Sequence, residues 1–188
     1  MNKESLRREM RARRRALSPE ARTAHAQAAA DHLAQSKEWQ DADSVALYIA
    51  ADGELDPAAL FALARTQGKS LYLPTLSGHR SLSFRLWVEG VELTPNRFGI
   101  PEPDSSAPPA DVGELSLMCL PLVAWDADGT RLGMGGGYYD RSLADKRHNC
   151  TLVGLAYSFQ EQARLPRDNW DVPLHLVATE HGLVSCQG

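Results

Sequence analysis

The amino-acid sequence predicts an α/β fold with a mostly parallel sheet. Apolar runs of strand length alternate with helix-forming segments over most of the chain. The order strand, helix, strand over residues 44–74 predicts a crossover connection between two parallel strands. A chain of 188 residues can bury one full core, so we expect a single domain over residues 1–188.

Two helices are predicted within the first 35 residues. Residues 2–16 are rich in Leu, Met, Arg, Glu and Ala, which are good helix formers. Ser18 can cap a second helix with its hydroxyl, and Pro19 fits the first turn, where its missing N–H costs nothing. The alanine-rich stretch 21–34 continues that second helix.

The first predicted strand is the apolar, partly β-branched run 44–50. Asp56 and Pro57 then begin a helix that Gly68 ends. Further strands are predicted at residues 70–74, 82–88, 115–123 and 151–157, with the last strand at 175–179 or 182–185.

Two connecting segments have distinctive compositions. Residues 101–111 contain four prolines, which predicts an extended connector. Residues 126–137 form a glycine-rich loop, and we expect a helix to follow from Tyr138 or Tyr139 to about Lys146. A loop after a buried parallel strand lies at the carboxyl end of the sheet, where α/β proteins bind ligands.

Composition excludes several classes of protein. Hydrophobic residues at 43% and charged residues at 23% are typical of a globular chain and not of a disordered one. No apolar run approaches the roughly 18–20 residues of a membrane span, and no apolar core follows the first charges as in a secretory signal. We therefore expect a cytoplasmic protein. The three cysteines lack the spacing of a zinc site.

The charges are distributed unevenly along the chain. The net charge is −4, but residues 1–22 hold eight basic and three acidic residues, whereas the other 166 hold 12 basic and 21 acidic. A basic arm on an acidic body predicts an anionic ligand near the arm.

In a helix over residues 2–16, one face is basic and a neighbouring stripe is apolar. The basic face has Lys3, Arg7, Arg11 and Arg14, and the apolar stripe has Leu6, Met10 and Leu17. We expect the stripe to pack on the body while the charges face a small anion such as a nucleotide phosphate. A solvated basic face and a nucleic-acid surface are the alternatives, and the acidic body weighs against nucleic acid.

The strongest local signal is the segment from Arg131 to Arg141, RLGMGGGYYDR. Four glycines in five residues let backbone N–H groups approach a phosphate, and the start of a helix behind them adds partial positive charge. Arg131 can add a full charge, and Asp140 can hold a magnesium ion carried by a nucleotide. The spacing matches neither a Walker A loop nor the Rossmann fingerprint. A flexible turn with a helix cap is the alternative.

Three further residues are candidates on weaker grounds. Glu54 follows the first strand and can accept hydrogen bonds from adjacent N–H donors of a ligand, although a solvated turn acid is the simpler interpretation. Phe98 can stack on a flat ring or simply pack in a core. Asp171 is a second metal carboxylate or a turn acid.

These segments, in this order, resemble the 5-formyltetrahydrofolate cyclo-ligase family, also called methenyltetrahydrofolate synthetase, over nearly the whole chain. The matching motifs are Lys3-x-x-x-Arg7, Asp52-Gly53-Glu54-Leu55-Asp56, Phe98-Gly99-Ile100-x-Glu102-Pro103, Pro121-Leu122-Val123-Ala124-Trp125-Asp126, Arg131-Leu132-Gly133-x-Gly135-x-Gly137-Tyr138-Tyr139-Asp140-Arg141 and Trp170-Asp171-Val172-Pro173. The RLGxGxGYYDR segment is highly specific, and the ordered set argues against a chance match.

The resemblance implies a three-layer α/β/α fold similar to the ribose-phosphate isomerase and CoA-transferase group. It implies an ATP-dependent conversion of 5-formyltetrahydrofolate to 5,10-methenyltetrahydrofolate, with release of ADP and phosphate. The implied cofactor is Mg²⁺, and the implied partners are ATP and 5-formyltetrahydrofolate. We expect a monomer that binds neither nucleic acid nor a membrane.

The resemblance also implies roles for individual residues. The implied ATP contacts are Lys3, Arg7, Arg131, Gly133, Gly135, Gly136, Gly137, Tyr138 and Tyr139, of which Arg131 and Tyr138 are also expected to be catalytic. The implied folate contacts are Ile49, Glu54, Phe98, Met134, Gly135, Gly136, Gly137 and Tyr138, and the implied magnesium ligands are Asp140 and Asp171.

One residue of the loop departs from the family pattern. Many members have a lysine where this chain has Gly136. We therefore expect Lys3, Arg7 or Arg131 to supply the cation that meets the transferred phosphoryl group.

Two other functions remain open on the residues alone. One is a phosphosugar isomerase or acyl-CoA transferase of the same fold, for which Glu54 is the only well-placed catalytic carboxylate. The other is a nucleotide- or RNA-binding module without catalysis, whose binding would depend strongly on salt.

Overall fold

The computed structural model describes residues 2–144 and 149–187, with His79 described through its backbone only. The α-helices of this part of the chain are α1 (Lys3–Ala16), α2 (Pro19–Ala34), α3 (Lys37–Asp41), α4 (Ala58–Thr66) and α5 (Tyr138–Ser142). Its strands are β1 (Ser44–Ala46), β2 (Ser70–Ser77), β3 (Ser81–Leu86), β4 (Thr94–Pro95), β5 (Pro101–Glu102), β6 (Pro109–Ala110), β7 (Leu117–Pro121), β8 (Ala124–Trp125), β9 (Arg131–Leu132), β10 (Thr151–Leu155), β11 (Leu176–Thr179) and β12 (Gly182–Ser185).

Eight of the strands form one sheet in the order β12-β11-β10-β7-β1-β2-β3-β6. The five strands from β11 to β2 are mutually parallel, and β12, β3 and β6 pair antiparallel at the two edges. The predicted parallel pair is confirmed, with Ser44 of β1 opposite Ser70 of β2. Two short antiparallel ribbons, β4–β5 and β8–β9, lie outside the main sheet.

Both faces of the sheet are covered. Along β7, Leu117 and Cys119 pack in the core with α2, α3 and α4, whereas Met118 and Leu120 pack in a second core with Leu143, the residue after α5. Because successive residues of a strand point to opposite faces, a strand that is apolar throughout needs cover on both sides. The mostly parallel α/β fold predicted from the sequence is therefore confirmed.

Helix α1 packs over the carboxyl end of the sheet, where it forms a third, smaller core. Its Leu6 and Met10 are buried against Val123, Leu132 and Leu165. The predicted packing of Leu6 and Met10 is confirmed, whereas Leu17 follows the end of α1 and packs against the first core. This packing brings the basic arm to the loops that follow β1 and β7.

The predicted boundaries differ from the observed ones where hydrogen-bond partners decide them. The first strand pairs only over β1, after which the chain turns away, whereas β2 runs on to Ser77 because β3 pairs with it antiparallel. Both candidates for the last strand are strands, since β11 and β12 form a hairpin. Helix α5 is described to Ser142, and the predicted end at Lys146 lies outside the described residues.

Helix α3 was not predicted. Its signal is the hydroxyl of Ser36, which accepts a hydrogen bond from the N–H of Trp39 at 3.2 Å, and the buried indole of Trp39. No helix in the described part of the chain is long and apolar enough to cross a bilayer.

Candidate active site

A cavity of about 680 Å³ lies at the carboxyl ends of the parallel strands. Its walls come from α1, the loop after β1, the β4–β5 ribbon, the glycine loop and residues 165–171. Every residue to which the family resemblance gave a role lines this cavity: Lys3, Arg7, Ile49, Glu54, Phe98, Arg131, Gly133, Met134, Gly135, Gly136, Gly137, Tyr138, Tyr139, Asp140 and Asp171. Segments separated by more than a hundred residues thus meet in one place, although their roles toward ligands stay predictions.

The glycine loop is held in a conformation that needs glycine. Gly135 has φ +98° and Gly137 has φ +65°, backbone values that other residues rarely adopt. The guanidinium of Arg141 donates to the carbonyl oxygens of Gly136 and Arg80, which ties the loop to the turn between β2 and β3. The loop is therefore a fixed wall of the cavity and not a free turn.

A side chain at position 136 would disturb this loop as it is folded here. A Cβ atom added there would lie 2.7 Å from Cδ2 of Tyr138, too close unless the ring moved. A cation from α1 also lies against this loop. Nε of Arg7 donates to the carbonyl oxygen of Gly133 at 2.9 Å, and its Cζ would lie 3.5 Å from a Cβ atom on Gly135.

Arg131 and Asp140 form an ion pair at the base of the loop. Nη2 of Arg131 donates to Oδ1 of Asp140 at 2.5 Å, and the arginine side chain is only 4% exposed. Its guanidinium lies 5.7 Å from the centre of the Tyr139 ring. Burial, and to a smaller degree the charge of Glu54, raises the pKa of Tyr139, so its hydroxyl stays protonated at neutral pH.

The two predicted metal carboxylates fit an ion that a nucleotide brings with it. Among residues 2–144 and 149–187 no three His, Cys, Asp or Glu side chains form a cage for a metal. Mg²⁺ is usually held by one or two carboxylates together with phosphate oxygens and water. Asp140 and Asp171 line the cavity, and Oδ2 of Asp171 accepts the N–H of Asp168 at 2.8 Å.

Glu54 lines the cavity and is half-buried. Its N–H donates to the carbonyl oxygen of Ala51, and one carboxylate oxygen accepts the N–H of Ala51, both at 3.0 Å, which closes a tight turn. Burial raises the pKa of Glu54, and the hydrogen bond from Ala51 and the charge of Arg14 offset this only in part. A half-buried carboxylate with one backbone partner keeps acceptor capacity for the N–H groups of a ligand.

The mouth of the cavity is aromatic. The Phe98 ring, 58% exposed, meets the Tyr138 ring edge to face at 6.1 Å between centroids. The Tyr138 hydroxyl accepts a hydrogen bond from Nη2 of Arg97 at 2.7 Å. Met134 and Trp170 are exposed at the same mouth, and exposed large apolar groups around a cleft are typical of a binding site.

Phe98 is carried to the mouth by a polar network that the sequence did not reveal. Oε2 of Glu102 accepts the N–H of Leu76 at 2.9 Å and Nδ2 of Asn96 at 3.2 Å. Oδ1 of Asn96 in turn accepts the N–H groups of Phe98 and Ile100. Glu102 of the family motif thus fixes the β4–β5 ribbon.

The expectation of a continuous free row of positive charge on α1 is wrong for its C-terminal half. Arg11 and Arg14 bind the carboxylate of Asp52 through Nε at 2.6 Å and Nη2 at 3.1 Å. Arg14 is fully buried and also donates to the carbonyl oxygen of Leu122 at 3.1 Å. Neither arginine lines the cavity, because an acid that the charge pattern did not single out lies opposite them.

Asp168 is a further cavity residue that sequence reasoning missed, and Trp170 belongs to a quoted motif but had no predicted role. Nζ of Lys3 pairs with Oδ2 of Asp168 at 2.9 Å. The available signal was that Asp168 lies three residues before Asp171, the spacing of a turn in which side-chain oxygens accept backbone N–H groups.

Comparisons with known proteins agree with this arrangement. A family model described as the 5-formyltetrahydrofolate cyclo-ligase family matches residues 1–180. A 5-formyltetrahydrofolate cyclo-ligase of Escherichia coli strain K12 is 38% identical over 174 residues, which cover 90% of this chain and 96% of that protein. The Haemophilus influenzae protein of the same name is 38% identical over 152 residues, covering 79% of this chain and 81% of its own length.

Solved structures give the same result. An NMR structure of Aquifex aeolicus 5,10-methenyltetrahydrofolate synthetase superposes with a TM-score of 0.86 at 35% identity, covering all of this chain and 94% of that one. The 5,10-methenyltetrahydrofolate synthetase from Mycoplasma pneumoniae gives a TM-score of 0.78 at 25% identity, covering 96% and 99%. The motifs, the fold and the near-complete match agree, and the chain belongs to the 5-formyltetrahydrofolate cyclo-ligase family.

Proposed function

We propose that this chain catalyses the ATP-dependent conversion of 5-formyltetrahydrofolate to 5,10-methenyltetrahydrofolate, with release of ADP and phosphate. The observation that carries the proposal is that one cavity is lined by two chemically different sets of groups. The glycine loop with its cations is suited to phosphates and defines the phosphate end of the proposed site. The half-buried carboxylate of Glu54 is suited to a ring bearing N–H groups and defines the folate end.

The chemistry of the reaction explains why such a site needs no protein nucleophile. The formyl oxygen attacks the γ-phosphorus of ATP, the bond to the β-phosphate oxygen breaks, and ADP leaves. N10 of the folate then attacks the activated formyl carbon, the carbon–oxygen bond breaks to release phosphate, and the N10 proton passes to solvent. Phosphoryl transfer of this kind needs alignment and charge neutralisation above all.

At the phosphate end, three cations and the loop backbone do this work. Lys3 and Arg7 reach the cavity from α1, and Arg131 reaches it from β9. Arg7 is the best placed to serve in place of the lysine found in relatives at position 136, because its guanidinium lies against Gly135. The glycines 133 and 135–137 leave space for the phosphates, with Tyr139 beneath them.

Asp140 and Asp171 would hold Mg²⁺ that arrives with ATP. When bound, such an ion would neutralise part of the phosphate charge. The ion pair with Arg131 fixes the orientation of the Asp140 carboxylate at the cavity wall.

At the folate end, Glu54 accepts hydrogen bonds from the amino and ring N–H groups of the pterin. Ile49, Met134 and Phe98 supply apolar walls, and Tyr138, which also lines the cavity, is assigned to contact both ligands. The edge-to-face contact of Phe98 with Tyr138 favours a flat ring at this point.

Residues 1–188 act as one domain and as a monomer in the cytoplasm, without a nucleic-acid or membrane partner. The cysteines Cys119, Cys150 and Cys186 are free thiols, which supports a reducing compartment.

The test is spectroscopic. The purified protein is mixed with 5-formyltetrahydrofolate and Mg-ATP, and the near-ultraviolet absorbance of the methenyl product is followed. We expect a rise that requires ATP and releases one ADP per product. No ATP-dependent rise, or turnover of a sugar phosphate or an acyl-CoA without ATP, would overturn the proposal.

A further inference from the structure

Asp52 is the most heavily paired acid in the site region, and none of the predicted roles includes it. Its Oδ2 accepts Nε of Arg11 at 2.6 Å and Nη2 of Arg14 at 3.1 Å. Its Oδ1 accepts Nε of Arg15 at 2.6 Å and also the Nη2 group of Arg15. Three arginines on the last two turns of α1 therefore bind one carboxylate.

These contacts leave the carboxylate little capacity to bind a ligand, although Asp52 lines the cavity. An ionised carboxylate offers about four acceptor sites, and the arginines occupy four. Partial burial alone would raise the pKa of Asp52, but the hydrogen bonds from Arg11 and Arg15 outweigh it and lower the pKa. The group is thus ionised at neutral pH and committed to α1.

The backbone at Asp52 shows what the contact holds in place. Asp52 has φ +53°, a left-handed conformation that is costly for most side chains, in the turn that ends at Glu54. Nη2 of Arg14 also donates to the main-chain oxygen of Asp52 at 3.1 Å. A Cβ atom on Gly53 would lie 3.4 Å from the main-chain carbon of Arg14, so the turn rests directly on the helix.

We propose that Asp52 is a positioning residue for the folate end of the site. Clamped by Arg11, Arg14 and Arg15, it holds the 51–54 turn so that the Glu54 carboxylate faces the cavity. The inference rests on the proposed function, because it assumes that Glu54 binds the pterin ring of the folate. Asp52 acts through Glu54 and does not touch the substrate.

The first test is Asp52→Asn, with both Michaelis constants measured by the absorbance assay. Asparagine tolerates a left-handed conformation and keeps the shape, but it loses the charge and half of the acceptor sites. We expect the apparent KM for 5-formyltetrahydrofolate to rise roughly tenfold, and the apparent KM for ATP to change by less than about twofold. Equal changes in both constants, or none, would overturn the inference.

The second test uses Arg15→Gln, which keeps the inference testable if Asp52→Asn fails to fold. The Arg15 side chain is 57% exposed and does not line the cavity, so its loss can reach the substrate only through Asp52. The apparent KM for the folate should rise by roughly two- to fourfold. The matched control is Arg8→Gln, which removes the same charge from an exposed position on the same helix and should leave both constants unchanged.

These outcomes separate the inference from the proposed function. A wild-type protein that forms no methenyl product disproves the proposed function. A wild-type protein that turns over, with Arg15→Gln indistinguishable from Arg8→Gln, disproves only the role of Asp52. Equal folate constants in wild type and Asp52→Asn, with only a lower melting temperature, would reduce Asp52 to a structural residue.

Discussion

The two halves of helix α1 carry the same kind of residue and use it differently. Lys3 and Arg7, on the first two turns, line the cavity, and their partners are the half-exposed Asp168, the exposed Glu4 and one loop carbonyl oxygen. The three arginines of the last two turns do not line it, and all of them bind Asp52.

This difference teaches what makes a cation available to a ligand. A basic side chain opposite a buried or half-buried acid is neutralised, and its donors are used inside the protein. One that meets only exposed acids and carbonyl oxygens can exchange them for phosphate at little cost. Four substitutions test this difference, and we expect the first to have the strongest effect and the last the weakest.

The largest effect should come from Arg14→Met. Methionine fills a similar space, but it leaves Asp52 short of one cation and removes a donor from the Leu122 carbonyl oxygen. The free energy of unfolding should fall by about 3 kcal/mol, as measured by urea denaturation. A loss below about 1 kcal/mol would mean that the C-terminal half of α1 is not a structural clamp.

Asp140→Asn should impair turnover far more than stability. The substitution removes the negative charge of Asp140. That charge pairs with Arg131 next to the glycine loop, which the first half of α1 contacts, and it belongs to the proposed magnesium site. We expect turnover to fall about 100-fold, with the free energy of unfolding changed by less than about 1 kcal/mol. Activity at the wild-type level would show that the metal assignment is wrong.

Arg7→Gln tests the first half of α1 by itself. The apparent KM for ATP should rise about tenfold, equivalent to about 1.4 kcal/mol, while the unfolding free energy stays within about 0.5 kcal/mol. Deletion of residues 2–8 should raise the same constant, but it also removes the buried side chain of Leu6. An unchanged KM for ATP in Arg7→Gln would mean that the first half of α1 is only a solvated basic face.

The smallest effect should come from Glu54→Gln, a change in the turn that α1 holds, and it should depend on pH. Burial raises the folded-state pKa of Glu54, so the stability it contributes is present at low pH and lost as pH rises through that pKa. Glu54→Gln should therefore stabilise the free protein by about 1 kcal/mol at neutral pH and by less in acid. Thermal unfolding at several pH values measures this, and a gain that grows on acidification would contradict it.

Asp52 has the opposite dependence, two residues away. Its folded-state pKa is lowered, so the stability it contributes is present above its unfolded pKa and lost as pH falls through the folded value. The two acids of one turn thus have different tasks: Asp52 holds the turn, and Glu54 is kept at a cost in stability for a ligand.

The sequence was sufficient for the fold class and, through the family resemblance, for many of the cavity residues. The apolar runs of β1, β2, β7 and β10 and the glycine loop are local signals, and local signals are what a sequence displays directly. The stripe of Leu6 and Met10 also placed α1 correctly against the body.

The sequence was not sufficient for the partners of charged side chains. Arg14 looked like Arg7 in the helical pattern, and only the folded chain places Asp52 opposite one and the Gly133 carbonyl oxygen opposite the other. The same holds for Glu102, whose contact with Leu76 crosses 26 residues. Such long-range pairings have no periodicity from which they could be predicted.

The most direct test of this division of labour measures both Michaelis constants in Arg7→Gln and Arg15→Gln. We predict a crossed pattern: Arg7→Gln raises the constant for ATP and leaves that for 5-formyltetrahydrofolate, whereas Arg15→Gln does the reverse. If both variants raise the same constant, or if neither changes any, the two halves of α1 do not serve the two ends of the site.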